Sequence, residues 1–280
     1  MPRDEAFQAA RWRASLALAF ERRDERTVLA TRRHDGPLVV QKPLYPEGES
    51  ICHAIVVHPP AGIVGGDELV IDVAAGRRAC ALVTTPGAGK WYRSAGAWAT
   101  QRVVIDANDA STVEWLPQET IVYDGARADI GWEARLSGDA RLVAWDIVCL
   151  GRTGSGERFE QGRLRSSARL SRDGRLAWTE RGNIEPGSVV AASPAGLSGH
   201  PVFGTMIVAA TAIEDEWVVA ARSHKAREGE GAATRLGNVL VARYRGDSGE
   251  AAREHFGAIW RELREPVLSR APSEPRIWRT

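Results

Sequence analysis

Residues 11–20, RWRASLALAF, admit two readings, and the choice between them governs how the rest of the chain is read. A basic cluster followed by an apolar stretch could be a targeting signal. The stretch from Ala14 to Phe20 is too short for that role, runs straight into ERRDER and offers no small-residue cleavage site. Counted with period two, Trp12, Ala14, Leu16, Leu18 and Phe20 share one face, with Arg11, Arg13 and Ser15 on the other. That pattern is a half-buried β-strand.

The same period recurs outward from this stretch. Leu69, Ile71 and Val73 alternate with polar or small residues, as do Val103 and Ile105, and Val113 and Trp115. RLVAWDIVCL (141–150), RLAWTE (175–180), TMIVAATAI (205–213), EWVVAAR (216–222) and NVLVARY (238–244) are rich in β-branched and aromatic residues and bounded by Gly, Asp or Ser turns. Each is predicted as a strand. An all-β chain of many short strands follows, as a sandwich, barrel or solenoid. No fixed-period repeat supports a regular solenoid, and an irregular one stays open. One helix is expected near the C-terminus, in EAAREHFGAIWRELREPVL. There Phe256, Ile259, Trp260 and Leu263 form one stripe, to be docked on the core, and Pro266 marks the exit. Segments 193–201 and 224–237 read as mobile loops. No linker divides the chain, so residues 1–280 are read as one domain.

Composition narrows the function. With 44% hydrophobic residues the chain can build a core, and 37 Lys+Arg against 36 Asp+Glu leave no overall field to gather nucleic acid or anionic lipid. No stretch approaches the ~20 apolar residues of a membrane span. Cys52, Cys80 and Cys149 lack paired spacing, which suits reduced thiols in a cytoplasm. Cys52 beside His53 could be a soft metal pair, but a buried structural thiol is the simpler account.

The motifs point away from catalysis. TTPGAGKWYRS (84–94) holds Gly89-Lys90, but a phosphate loop needs a glycine where Thr84 stands and a hydroxyl where Trp91 stands. No G-x-S-x-G or H-E-x-x-H motif occurs, and the six histidines are scattered. In HPPAGIVGGDELVID (58–72), Asp67 follows a glycine pair, which reads first as a turn entering a strand. Asp67, Glu119, Asp146 and Glu180 all lie in or beside apolar strands, where a carboxylate is costly unless paired. Salt bridges, with Arg152 and Arg181 as nearby partners, explain each singly. Four together suggest a path or site for a divalent cation.

GPLVVQKPLYPEG (36–48), HPPAGIVGGD (58–67), TTPGAGKWYRS (84–94), EWLPQETIVYDGA (114–126), WDIVCLGRTGSGE (145–157) and the terminal PRIWRT closely resemble, in order, the UreD (UreH) family of urease accessory proteins. The resemblance implies an irregular β-helix with about two helices. It also implies a non-enzymatic maturation factor that binds urease apoprotein, recruits UreF and through it the GTPase UreG, and passes nickel(II) transiently, with no tightly bound cofactor. By motif match, Asp67, Glu68, Asp146 and Glu180 fall where the family's passage acids lie; Glu119 is added for its place beside an apolar strand. Two departures stand out. Ala61 replaces a third glycine, which constrains the turn, and Gly89 replaces a small hydroxyl residue, which removes a polar group from that loop. A carbohydrate-binding β module, secreted or cytoplasmic and without a metal role, is the competing reading, because the chain has ten tryptophans. Trp115, Trp145 and Trp178 sit in strand patterns as core, which argues against it.

Overall fold

A computed structural model describes residues 12–60 and 62–279. Along it run β1 (Arg13–Arg23), β2 (Arg26–Asp35), β3 (Val39–Val40), β4 (Cys52–Val57), β5 (Glu68–Ala75), β6 (Cys80–Thr84), β7 (Gly89–Trp91), β8 (Ala99–Ala107) and β9 (Thr112–Leu116). Then come β10 (Thr120–Val122), β11 (Arg127–Leu136), β12 (Arg141–Leu150), β13 (Arg163–Arg172), β14 (Arg175–Ile184), β15 (Val202–Ala209), β16 (Glu230–Leu236) and β17 (Val239–Gly246). Three helices join them: α1 (Val189–Ala192), a single turn, α2 (Asp215–Ser223) and α3 (Gly249–Leu268).

From β4 to β13 the chain shuttles between two facing sheets. β1, β5, β8, β11 and β13 stack in parallel in one, and β4, β6, β9 and β12 in the other. This is the solenoid-like stack of an irregular β-helix. Antiparallel strands finish the ends: β2 and β14 on the first sheet, β3 and the series β15, β17, β16 on the second. Crossings on one rim are tight turns of four residues each, 76–79, 108–111 and 137–140. They bond upward: Arg78 N–H donates to the Asp109 carbonyl, Ala110 N–H to Asp139 Oδ1, and Gly138 N–H to Asp173 Oδ1. The opposite rim carries loops of 10 to 14 residues, 58–67, 85–98, 117–126 and 151–162. These loops form a short ladder of their own, in which Ile63 bridges Trp91, β7 pairs with β10 and β10 with β12.

Alternation decides what lies between the sheets. On β12, Leu142, Ala144, Val148 and Leu150 face the inter-sheet core, while Val143, Trp145, Ile147 and Cys149 pack on the outer side beneath the helices. The predicted stripe Phe256, Ile259, Trp260 and Leu263 is fully buried there. Ser248 caps the start of α3 by accepting from Ala251 N–H. Between helix and sheet sits Arg264, 0% exposed, bonded to Glu114 at 2.9 and 3.1 Å and to Glu47 at 2.6 and 2.8 Å. Trp260 Nε1–H also donates to Glu114, and His53 Nε2 pairs with Glu47 Oε1 at 2.6 Å. Against the cost of burial, His53 and Arg264 hold the Glu47 carboxyl down at about 2.

Four expectations need correction. EWVVAAR lies in α2, not a strand: Val218 and Ala221, three apart, are its buried pair, and so short an apolar run fits either period. Residues 224–237 are not all loop, since Glu230–Leu236 forms edge strand β16, whose backbone pairing with β17 needs only Ala233 buried. Pro266 does not end α3, which continues to Leu268 because Val267 and Leu268 are buried. Trp12 is 52% exposed and precedes β1, so the buried face starts at Ala14. Segment 193–201 remains a loop, and Arg245 donates to its Pro194 and Gly196 carbonyls.

Removing the guanidinium in Arg264→Met strands two buried carboxylates, and breaking such a pair costs about 3–5 kcal/mol. Urea unfolding should show a loss of that size; an unchanged midpoint would mean that Arg264 is not what joins α3 to the sheets.

Candidate functional site

Near the last turns of the stack, the two sheets enclose a cavity of about 50 Å³, room for a few waters. Small side chains, Ser166, Ser167 and Ala168, leave the space, and Trp132, Trp178 and Phe203 wall it. Asp146 enters because it shares the inward face of β12 with Ala144 and Val148. In register, Asp146 lies opposite Thr205 of β15, and Thr205 opposite Arg243 of β17. Glu180 reaches the same space from β14 of the other sheet. Arg243 Nη1 donates to Glu180 Oε1 at 2.8 Å and to Thr205 Oγ1 at 3.3 Å. Burial, with a smaller push from Glu180, raises the Asp146 carboxyl to about 6, against the stabilising Trp132 indole N–H.

A second inter-sheet cavity of about 330 Å³ lies toward the start of the stack, lined in part by His58, Leu69, Gln101 and Trp115. Thr120 lines both cavities. Asp67, 6% exposed, stands near His58, whose basicity burial lowers while the Asp67 charge opposes. Asp67 also terminates the turn: Val64 N–H donates to its Oδ2 at 2.9 Å, and its own N–H donates to the Val64 carbonyl at 3.0 Å.

The predicted acids therefore divide. Asp146 and Glu180 share one cavity, and Asp67, near His58 of the second, lines with Glu68 and Arg13 a separate open pocket of about 610 Å³. Glu68 points outward and pairs with Arg13 at 2.8 Å on the surface. Glu119 faces α3, where Arg253 Nε donates to it at 3.1 Å. The suggested neighbours are not the partners, since Arg152 pairs with Glu157 and Glu180 with Arg243. Cys52 is buried and the His53 nitrogen is taken by Glu47, so this pair offers no metal site. Nothing local in the sequence marks Glu114, the acid most deeply paired, because its partner Arg264 is 150 residues away. Among the described residues no group of three or more His, Cys, Asp or Glu is arranged to hold a metal ion. Gly89 and Lys90 open β7 with no helix after them. Gly89 lines the second cavity, and a side-chain carbon there would meet nothing within 4 Å, so a hydroxyl residue would fit. Ala61 lies outside the described residues.

The profile of the family described as UreD urease accessory protein matches residues 13–279. A urease accessory protein UreD of Azoarcus sp. is 54% identical over 269 residues, 96% of this chain and 94% of the relative. That of Dechloromonas aromatica is 48% identical over 277 residues, 96% and 95%. That of Pseudomonas aeruginosa is 46% identical over 270 residues, with the same coverage.

The raised Asp146 carboxyl fixes a sign. Folded, it keeps its proton to about pH 6, whereas unfolded aspartate ionises near pH 4. Rising pH through that window favours unfolding, and above it the penalty is complete. Asp146→Asn should therefore stabilise the protein at pH 7.5 by up to about 3 kcal/mol, with the gain vanishing toward pH 4. Paired thermal melts across that range check this; a destabilised variant at pH 7.5 would contradict it.

Proposed function

We propose that this chain, which belongs to the UreD family of urease accessory proteins, is a non-catalytic scaffold that binds urease apoprotein, joins UreF and through it UreG, and gives nickel(II) a route between its two sheets. The observation that supports a route is the pair of carboxylates, Asp146 and Glu180, in one small cavity that shares the lining residue Thr120 with a second, where Asp67 acts on the lining residue His58. A divalent ion leaving bulk water needs negative charge and oxygen ligands along its way, since its field is poorly screened in a protein interior. It must also leave again. Carboxylates spread singly and in one pair, instead of closing into a cage, suit weak sequential binding. Nickel is then cargo and not a resident cofactor. Three buried free thiols fit a reducing compartment such as the cytoplasm, and no helix among the described residues is long and apolar enough to cross a membrane. A sugar-binding surface would need exposed rings, yet Trp91, Trp115, Trp132, Trp145, Trp178 and Trp260 are buried.

Asp146→Asn and Glu180→Gln nearly preserve shape and each remove one charge. Complexes with UreF, UreG and urease should form normally in pull-downs, while the nickel bound to urease falls several-fold and further in the double variant. Glu180→Gln should be the more severe, because it leaves Arg243 unpaired beside the route. Normal nickel content in assembled urease, or failure of the complexes to form, would return both acids to a purely structural role.

A further inference from the structure

One of the two cavity carboxylates, Glu180, is already paired with Arg243. Val239 and Val241 face the inter-sheet core, so Arg243, two residues on, points the same way. The first sheet ends at β14, so β17 extends past it, and the Arg243 side chain spans from β17 to Glu180 on that last strand. It is 51% exposed and makes both of its contacts through Nη1. Its neighbour Arg245 is held differently, with Nε and Nη2 on Glu230 and Nη1 on two carbonyls. Arg264 is fully enclosed. Among these three, Arg243 alone combines a cavity carboxylate, a single anchoring nitrogen and solvent to swing into.

We propose that Arg243 is the exchangeable counter-cation of the Asp146–Glu180 pair, and that a divalent cation occupies this cavity by displacing the guanidinium into solvent. The inference rests on the passage reading and assigns the residue that controls occupancy. Charge supplies the reason. Two carboxylates with Arg243 carry net −1; adding a divalent ion gives +1, whereas exchanging it for Arg243 gives zero. Unbalanced charge is costly in so small a space, so exchange is the favoured path. A monovalent ion replacing Arg243 leaves −1 and gives up two hydrogen bonds for no gain. The arrangement therefore selects divalent over monovalent cations and keeps the cavity neutralised enough to stay folded when empty of metal. Thr205, bonded to both Glu180 and Arg243, keeps a hydroxyl at the site after the exchange.

Calorimetric titration of the full chain with Ni²⁺ alone tests this. Arg243→Gln should tighten binding by about tenfold or more, Arg243→Lys should stay near the parent, and Glu180→Gln added to Arg243→Gln should abolish the gain. Unchanged affinity in Arg243→Gln, or a gain that survives loss of Glu180, overturns the proposal. Should Arg243→Gln prove unstable, the unmodified chain still decides the matter. On adding Zn²⁺, a diamagnetic stand-in, the Arg243 Nη1–H signals, held in the metal-free protein by Glu180 and Thr205, should move to those of a free, solvent-exchanging guanidinium, and binding of Zn²⁺ without that change overturns it. Tighter Ni²⁺ binding in Arg243→Gln, together with normal urease nickel in Asp146→Asn, would uphold the exchange and remove the passage.

Discussion

Arg264 is the fixed point of the molecule. A guanidinium with no exposure, shared between Glu47 before β4 and Glu114 on β9, ties α3 to two distant parts of the stack. Burying three charges is favourable only because each is nearly saturated with hydrogen bonds, from Trp260, His53 and the Ala271 carbonyl besides the ion pairs. The helix in turn covers the outer face of the second sheet. With that face sealed, the inter-sheet space is shaped by strand stacking, and its polar gap can persist without water reaching it from the helix side.

Two arginines on the same chain thus show what exposure does to one chemical group. Arg264 cannot leave its carboxylates without opening the core. Arg243 meets Glu180 where the first sheet ends, half in solvent. The interior between them is filled where Leu142, Ala144 and Val113 pack and leaves a small cavity where Ser166, Ser167 and Thr205 line it. A passage in such a stack needs no channel lining along its whole length. It needs a few positions where small residues replace large ones across from an inward carboxylate.

Much of this was legible in the chain. Period-two alternation located most strands, and the 3.6-residue stripe located α3. Asp146 was visible as an acid on the inward side of an apolar run, and Glu180 as one closing an aromatic strand. The stack itself was hidden. Strands β5, β8, β11 and β13 begin at 68, 99, 127 and 163, unequal steps that carry no period. What makes them equivalent is bonding between turns some thirty residues apart, as from Arg78 to Asp109. Long-range pairing also concealed Glu114 and the Glu180–Arg243 pair. The apolar run of helix α2 is too short to show its period, and β16 is an edge strand, which can be almost wholly polar.

The two rims of the stack differ in what they permit. On one, each four-residue turn bonds to the next, so an added residue would disturb its neighbour and the spacing of every coil above it. On the other, crossings already vary in length, and they hold HPPAGIVGGD, most of TTPGAGKWYRS, PQETIVYDGA and GRTGSGE. The architecture separates a measuring edge from a writing edge: one sets the rise of each coil, while the other can change in length and wording without altering that rise. Divergence within such a fold is thereby channelled to one side, and an inserted probe or epitope belongs there too.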